Sequence, residues 1–200
     1  ITVRHGRCDN SCESTIPYGG AGILNIGTLT VTNSAFSSNS ASHGGGVYNT
    51  GVQTVTNSSF TGNLAKNDNV GVFFGIGAGG GLYNTGNLKM TSCSFSNNFS
   101  ETLDADPFSG GFGGGIANEG ALTLENCSFS DNSVNNLGLG GAIYNFYNHT
   151  MNITGGTFTT NYAFEGGGIH NEGTSNIADS TFSNNEGLAR GGGIRNGSNL

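Results

Sequence analysis

Charge is scarce in this chain. Lys, Arg, Asp and Glu together make up 10% of its 200 residues, too few for a segment held disordered by its own charge. Basic residues are scarcest, six Lys and Arg against thirteen Asp and Glu, for a net charge of −7. Phosphate binding needs clustered Lys and Arg, so a nucleic-acid partner is excluded. Two prolines accompany 37 glycines, and the glycines follow no three-residue period, which excludes collagen and Pro-rich disorder. No apolar run approaches the roughly 20 residues that span a bilayer, so no membrane insertion is expected. A helical period is absent, and no strand pair shows the two-residue spacing of a hairpin. There is also no signal peptide and no initiator Met. The chain opens on Ile1-Thr2-Val3, as a strand would, and reads as a processed or excised piece of a secreted protein. Abundant Asn, Ser, Thr and Gly with little Lys suits an extracellular or cell-surface location.

What the chain does have is a repeat. Gly44-Gly45-Gly46-Val47-Tyr48-Asn49 returns at Gly79–Asn84, Gly113–Asn118, Gly140–Asn145, Gly166–Asn171 and Gly191–Asn196, with a weaker first copy at Gly20–Asn25. The closing asparagines are 24, 35, 34, 27, 26 and 25 residues apart. Between copies stands Phe-x-x-Asn: Phe36/Asn39, Phe60/Asn63, Phe95/Asn98, Phe129/Asn132, Phe158/Asn161 and Phe182/Asn185. A repeat of that length means a solenoid or a propeller. A propeller needs about four strands per repeat and more even periods.

Within one repeat, alternation sends Val47 and Asn49 to one face and Tyr48 to the other. An Asn-x-Gly turn such as Asn49-Thr50-Gly51 follows, of a composition that suits positive φ. A second strand comes next, such as Leu29-Thr30-Val31-Thr32, and after a corner a third, Ser34-Ala35-Phe36-Ser37. These strands are too short to pair within a coil, so each must pair with its equivalent one coil above and below. The expected fold is all-β: one domain over residues 1–200, a right-handed parallel β-helix of about seven coils with three short strands per coil. Equivalent residues then stack. Phe36, Phe60, Phe95, Phe129, Phe158 and Phe182 make one ladder, and Asn49, Asn84, Asn118, Asn145 and Asn171 another that hydrogen-bonds along the rod. Residues 1–18 form an N-terminal strand and a Cys8/Cys12 turn, and 64–78 and 99–112 are insertions at one corner that pack together as a lateral flap.

The four cysteines fall into two pairs. Cys8 and Cys12 are close enough in sequence for a disulfide clip in an oxidising compartment. Cys93 and Cys127 hold one position on neighbouring coils, where they are either a second bridge or small buried replacements for Ser34, Ser58 and Ser180.

Gly140-Gly141-Ala142-Ile143 with Phe129-x-x-Asn132, and the other copies with a third Gly in place of Ala, resemble the repeats of the chlamydial polymorphic outer-membrane proteins and related bacterial β-helix surface proteins. The resemblance covers nearly the whole chain and implies an autotransporter-like passenger acting in adhesion.

Function is thus expected to be structural or adhesive and non-enzymatic, on a glycan or host-cell surface, with no cofactor. Neither end of the sequence reads as a cap, so self-association head to tail into a filament is expected. The alternative is a polysaccharide lyase or glycoside hydrolase, since pectate lyases share the fold. Such enzymes project several carboxylates, or Asp with Ca²⁺ and a base, from adjacent strands. Here the strand positions are mostly Thr, Ser, Asn and aliphatic; Lys89 is the basic strand residue at mid-rod, and Glu125 projects outward without an evident partner. No catalytic residue is assigned. Glu101, Asp104 and Asp106 are the candidate Ca²⁺ ligands, but without the regular spacing of a calcium loop they read as solvated charge. The candidate binding surface is the outward column that holds Tyr48, Tyr83, Tyr144 and His170, either a stacking face for sugars or a partner, or ordinary packing.

Overall fold

The computed structural model describes residues 1–8, 19–67, 77–102 and 110–197. Among them are 26 strands and no helix. The strands form four parallel sheets of seven, seven, six and six strands, each strand pairing with its equivalent on the neighbouring coils. This is a parallel β-helix.

Each coil visits the sheets in a fixed order. The phenylalanine sheet holds Ala35–Ser37, Ser59–Thr61, Ser94–Ser96, Ser128–Ser130, Thr157–Thr159 and Thr181–Ser183, with Thr2–Arg4 at its N-terminal edge. Next comes a sheet absent from the sequence-based expectation, containing Ser40–Ala41, Leu64–Asn67, Phe99–Thr102, Ser133–Val134, Tyr162–Glu165 and Glu186–Arg190. The glycine-motif sheet follows, from Ile23–Asn25 to Ile194–Asn196, and then a sheet of five-residue strands, from Thr28–Thr32 to Thr174–Ala178. A coil therefore carries four strands, where three were expected. Leu64–Asn67 and Phe99–Thr102 belong to the second sheet, so the insertions expected at 64–78 and 99–112 begin as strands. Within them 68–76 and 103–109 lie outside the described residues, but their last residues meet: Ala78 bridges Phe112, and the Phe112 N–H donates to the Gly77 carbonyl at 3.0 Å.

The three glycines of the motif have three separate causes. Gly44 adopts φ 60°, and a Cβ there would strike the Val47 carbonyl. A Cβ on Gly45 would meet the carbonyls of Leu64 and Gly80, because the second sheet packs directly on this backbone. Gly46 lies against the ring of Phe60, with Cδ1 3.2 Å from where its Cβ would stand. The Gly81 carbonyl would stand closer still, at 2.5 Å, yet the equivalent third site of another coil holds Ala142, fully buried.

The Asn-x-Gly turn departs from expectation. Gly51 is not left-handed; it is glycine because a Cβ would run into the Gly27 carbonyl one coil back. Positive φ falls instead at the corners flanking the phenylalanine sheet, mostly on residues that tolerate it, such as Asn33, Asn57, Asn126 and Asp179 on one side and Asn97, Asp131 and Asn184 on the other.

The interior is a set of columns. From Phe36 to Phe182 successive rings stack with centroids 4.4–4.9 Å apart and planes within 10° of parallel. Val47, Leu82, Ile116, Ile143 and Ile169 are wholly buried in a second column, beside Val55, Met90, Leu124 and Ile153. Two asparagine ladders run through the rod. In the motif ladder each Nδ2 donates to the next Oδ1, from Asn25 to Asn196, at 2.7–2.8 Å. In the Phe-x-x-Asn ladder, Asn63 Nδ2 donates to Asn98 Oδ1 (2.9 Å) and to the Phe36 carbonyl (3.0 Å), and Asn98 Oδ1 also accepts from the Asn63 backbone N–H (3.0 Å). Buried amides are tolerated because their donors and acceptors find partners along the stack.

Candidate functional site

Outward from the glycine-motif sheet, in register coil by coil, stand Leu24, Tyr48, Tyr83, Ala117, Tyr144, His170 and Arg195. The column is covered along much of its length. Tyr83 is 8% exposed, Tyr144 4% and His170 2%, while Tyr48 is half-buried. The cover is the residue five positions earlier in each coil, just before the left-handed glycine: His43, Ala78, Phe112, Leu139 and Glu165, bridged to one another along the rod. Tyr83 packs between His43 and Tyr48, with centroids 5.0 Å from each. Phe112 stacks on Tyr144 at 4.6 Å, and Phe146 meets the same ring edge-on at 4.3 Å. Ala117 leaves space in its coil, and Phe146 packs into that cluster. These rings form a second, smaller core on the flank of the rod.

Each tyrosine hydroxyl approaches the middle residue of the next coil's Asn-x-Gly turn: Thr85 for Tyr48, Glu119 for Tyr83, and Glu172 for Tyr144, which donates to Glu172 Oε2 at 2.7 Å. Burial raises all three phenols above their ordinary range, and the carboxylates raise Tyr83 and Tyr144 further. Glu119 and Glu172 are the residues that sequence reading did not single out. The signal was present, since Asn118-Glu119-Gly120 and Asn171-Glu172-Gly173 each follow a tyrosine by one coil.

At the C-terminal side the column turns ionic. His170 lies between two carboxylates, Nδ1 4.0 Å from Glu165 and Nε2 3.5 Å from Glu172. Arg195 Nε donates to Glu165 at 3.1 Å, and Arg190 approaches the same carboxylate at 3.4 Å. Burial pushes the His170 pKa down, Arg195 assists, and the two glutamates oppose.

The remaining candidates are dispersed. Glu125 has a partner after all: Lys89 Nζ stands 2.8 Å away, and Thr91 donates to it at 3.2 Å. Lys89 holds the Glu125 carboxyl below its ordinary value. Glu101 lies opposite Lys66 in the second sheet, whereas Asp104 and Asp106 fall outside the described residues. Among the described residues no three His, Cys, Asp or Glu side chains gather as a metal site. Cys8 is disulfide-bonded, and Cys12 is outside the described residues. Cys93 and Cys127 are free and buried.

Against known proteins, the model of the Chlamydia polymorphic membrane protein (Chlamydia_PMP) repeat matches residues 92–119 and 126–145. Each matched stretch runs from a Phe-x-x-Asn to the following glycine motif, Phe95 to Asn118 and Phe129 to Asn145. A comparison with the curated proteins and with the solved structures found no match. Two coils of this parallel β-helix, within residues 92–145, are thus similar to the chlamydial repeat.

Proposed function

We propose that this chain is a surface-displayed β-helix with a structural or adhesive role, and that it is not an enzyme. The match to the polymorphic membrane protein repeat supports display at a cell surface. The observation that carries the non-enzymatic reading is the occupation of the flank. Tyr83, Tyr144, Glu165 and Glu172 are tied to one another, to Glu119, His170 and Arg195, or to the cover above them. A glycan-cleaving site needs carboxylates aimed at open space on either side of a bond. Antibody labelling of intact, unpermeabilised source cells tests the surface role. Labelling is expected without permeabilisation, and protein confined to the interior would end the reading.

The terminal coils favour association between copies. The N-terminal end holds an apolar cavity of about 320 Å³ lined by Val3, Ile23, Leu29, Val31 and Phe36, among others. At the other end Ile177 and Phe182 are half-buried and Ile194 is 40% exposed. The same interior columns that run between coils align Phe182 with Val3, Ile177 with Val31 and Ile194 with Ile23 of a following copy. The motif ladder is polar, so the Asn196 amide would donate to Asn25 Oδ1 across the junction, as Asn171 does to Asn196 at 2.7 Å. Such a contact is heterologous and propagates as a filament.

A further inference from the structure

Cys93 and Cys127 each precede a strand of the phenylalanine sheet by one residue, and the residues that follow them, Ser94 and Ser128, are direct register partners. The thiols thus occupy one column on adjacent coils, 2% and 1% exposed. Elsewhere this column holds serine, or glycine at Gly156, and ties coil to coil: the Ser34 N–H donates to Ser58 Oγ at 3.1 Å, and the Gly156 N–H to Ser180 Oγ at 3.1 Å. The cysteines keep the same local bonds, Cys93 Sγ to the Thr91 carbonyl at 3.4 Å and Cys127 Sγ to the Glu125 carbonyl at 3.5 Å. Parallel neighbours stand about 4.8 Å apart, inside the Cα separation of roughly 4.4–6.8 Å that disulfides span. Cys8, in the same chain, is already disulfide-bonded.

We propose that Cys93 and Cys127 are a disulfide-forming pair that staples two central coils together when the chain folds in the presence of a disulfide oxidant. In the folding chain the Cys93 thiolate is the nucleophile. It attacks one sulfur of oxidised glutathione, releasing one glutathione thiolate and leaving a mixed disulfide. The Cys127 thiolate then attacks Cys93 Sγ and displaces the second glutathione. In sum, two protein thiols lose two protons and two electrons, one S–S bond forms, and the oxidant's S–S bond becomes two thiols. The reaction belongs to the folding chain, before the coils close over the sulfurs. Once formed, the bond is shielded from reductants by the same burial.

Refolding the full chain in a glutathione redox buffer tests this, followed by alkylation in denaturant and peptide mass mapping. A peptide cross-linked through Cys93 and Cys127 is expected, with neither residue alkylated. Reducing the bond should lower Tm by about 10 °C, given the 34-residue span between the cysteines. The double variant Cys93→Ser/Cys127→Ser should fold, since serine is the column's commonest residue, and its reductant-dependent shift should shrink by about that 10 °C to the part owed to the Cys8 disulfide. Alkylation of both cysteines after exhaustive oxidation overturns the proposal. So does linkage of either one to Cys8 or to another chain, or an undiminished shift in the double variant.

Discussion

Phe95 and Phe129 lie face to face on adjacent coils, their ring centroids 4.9 Å apart and their planes 8° from parallel. Both are 1% exposed, and Phe129 stacks equally on Phe158 below it. Truncating Phe129 to Ala removes a ring from the middle of a continuous column whose neighbours are fixed by strand register and cannot collapse inward. The expected cost is about 3–5 kcal/mol, read as a lower denaturation midpoint at unchanged slope. Unfolding of Phe129→Ala at the parent's midpoint would mean that the column does not hold the coils together.

Gln53 interrupts the opposite wall. Its register partners are Leu29 and Leu88, it is 1% exposed, and neither its amide nitrogen nor its amide oxygen has a hydrogen-bond partner. A buried amide without partners costs about 1–3 kcal/mol. Gln53→Leu, which restores the column's residue, is therefore expected to stabilise the chain by that amount and to raise Tm by several degrees. Destabilisation would show that the amide is satisfied.

The contrast between Phe129 and Gln53 shows what the sequence makes readable. Columns whose residue type repeats, such as the phenylalanines and the two asparagine ladders, could be read directly, because stacking places like on like and the motif recurs. The second sheet could not. Its inward residues, Ala41, Ala65, Ser100, Val134 and Ala163, share only small size, imposed by the glycine backbone they pack on. The tyrosine column was legible as an outward row, but its cover was not. His43, Ala78, Phe112, Leu139 and Glu165 have no common chemistry, and they reach the tyrosines only because the left-handed glycine folds the chain back.

His170 sets a pH dependence. It faces Tyr144, Glu165, Glu172 and Arg195, and its folded pKa lies below the ordinary value of 6.5 because burial disfavours the imidazolium. The unfolded chain therefore takes up this proton first. The contribution to stability is complete above pH 6.5 and declines as pH falls from there toward the folded pKa, by up to about 1.4 kcal/mol per pH unit. An NMR titration should place the His170 midpoint below 6.5, and His170→Gln should lose the slope in that window. A midpoint above 6.5 would mean that the two glutamates outweigh burial.

End-to-end stacking predicts a concentration-dependent rise in light scattering from the purified 200-residue chain, with rods lengthening in electron micrographs. Ile194→Lys places a charge in the junction and should abolish the rise without unfolding the coils. A monomer that stays monomeric across concentrations would contradict the stacking.

The claim that this is a binding or structural surface, and not a catalyst, is tested most directly by turnover. The purified chain would be incubated with a panel of acidic and neutral polysaccharides, with and without Ca²⁺, and new reducing ends and unsaturated products measured. No turnover above background is predicted for any of them, because Glu165 and Glu172 are held by Arg195, His170 and Tyr144. Depolymerisation of any glycan that is abolished by Glu165→Gln or Glu172→Gln would contradict the account.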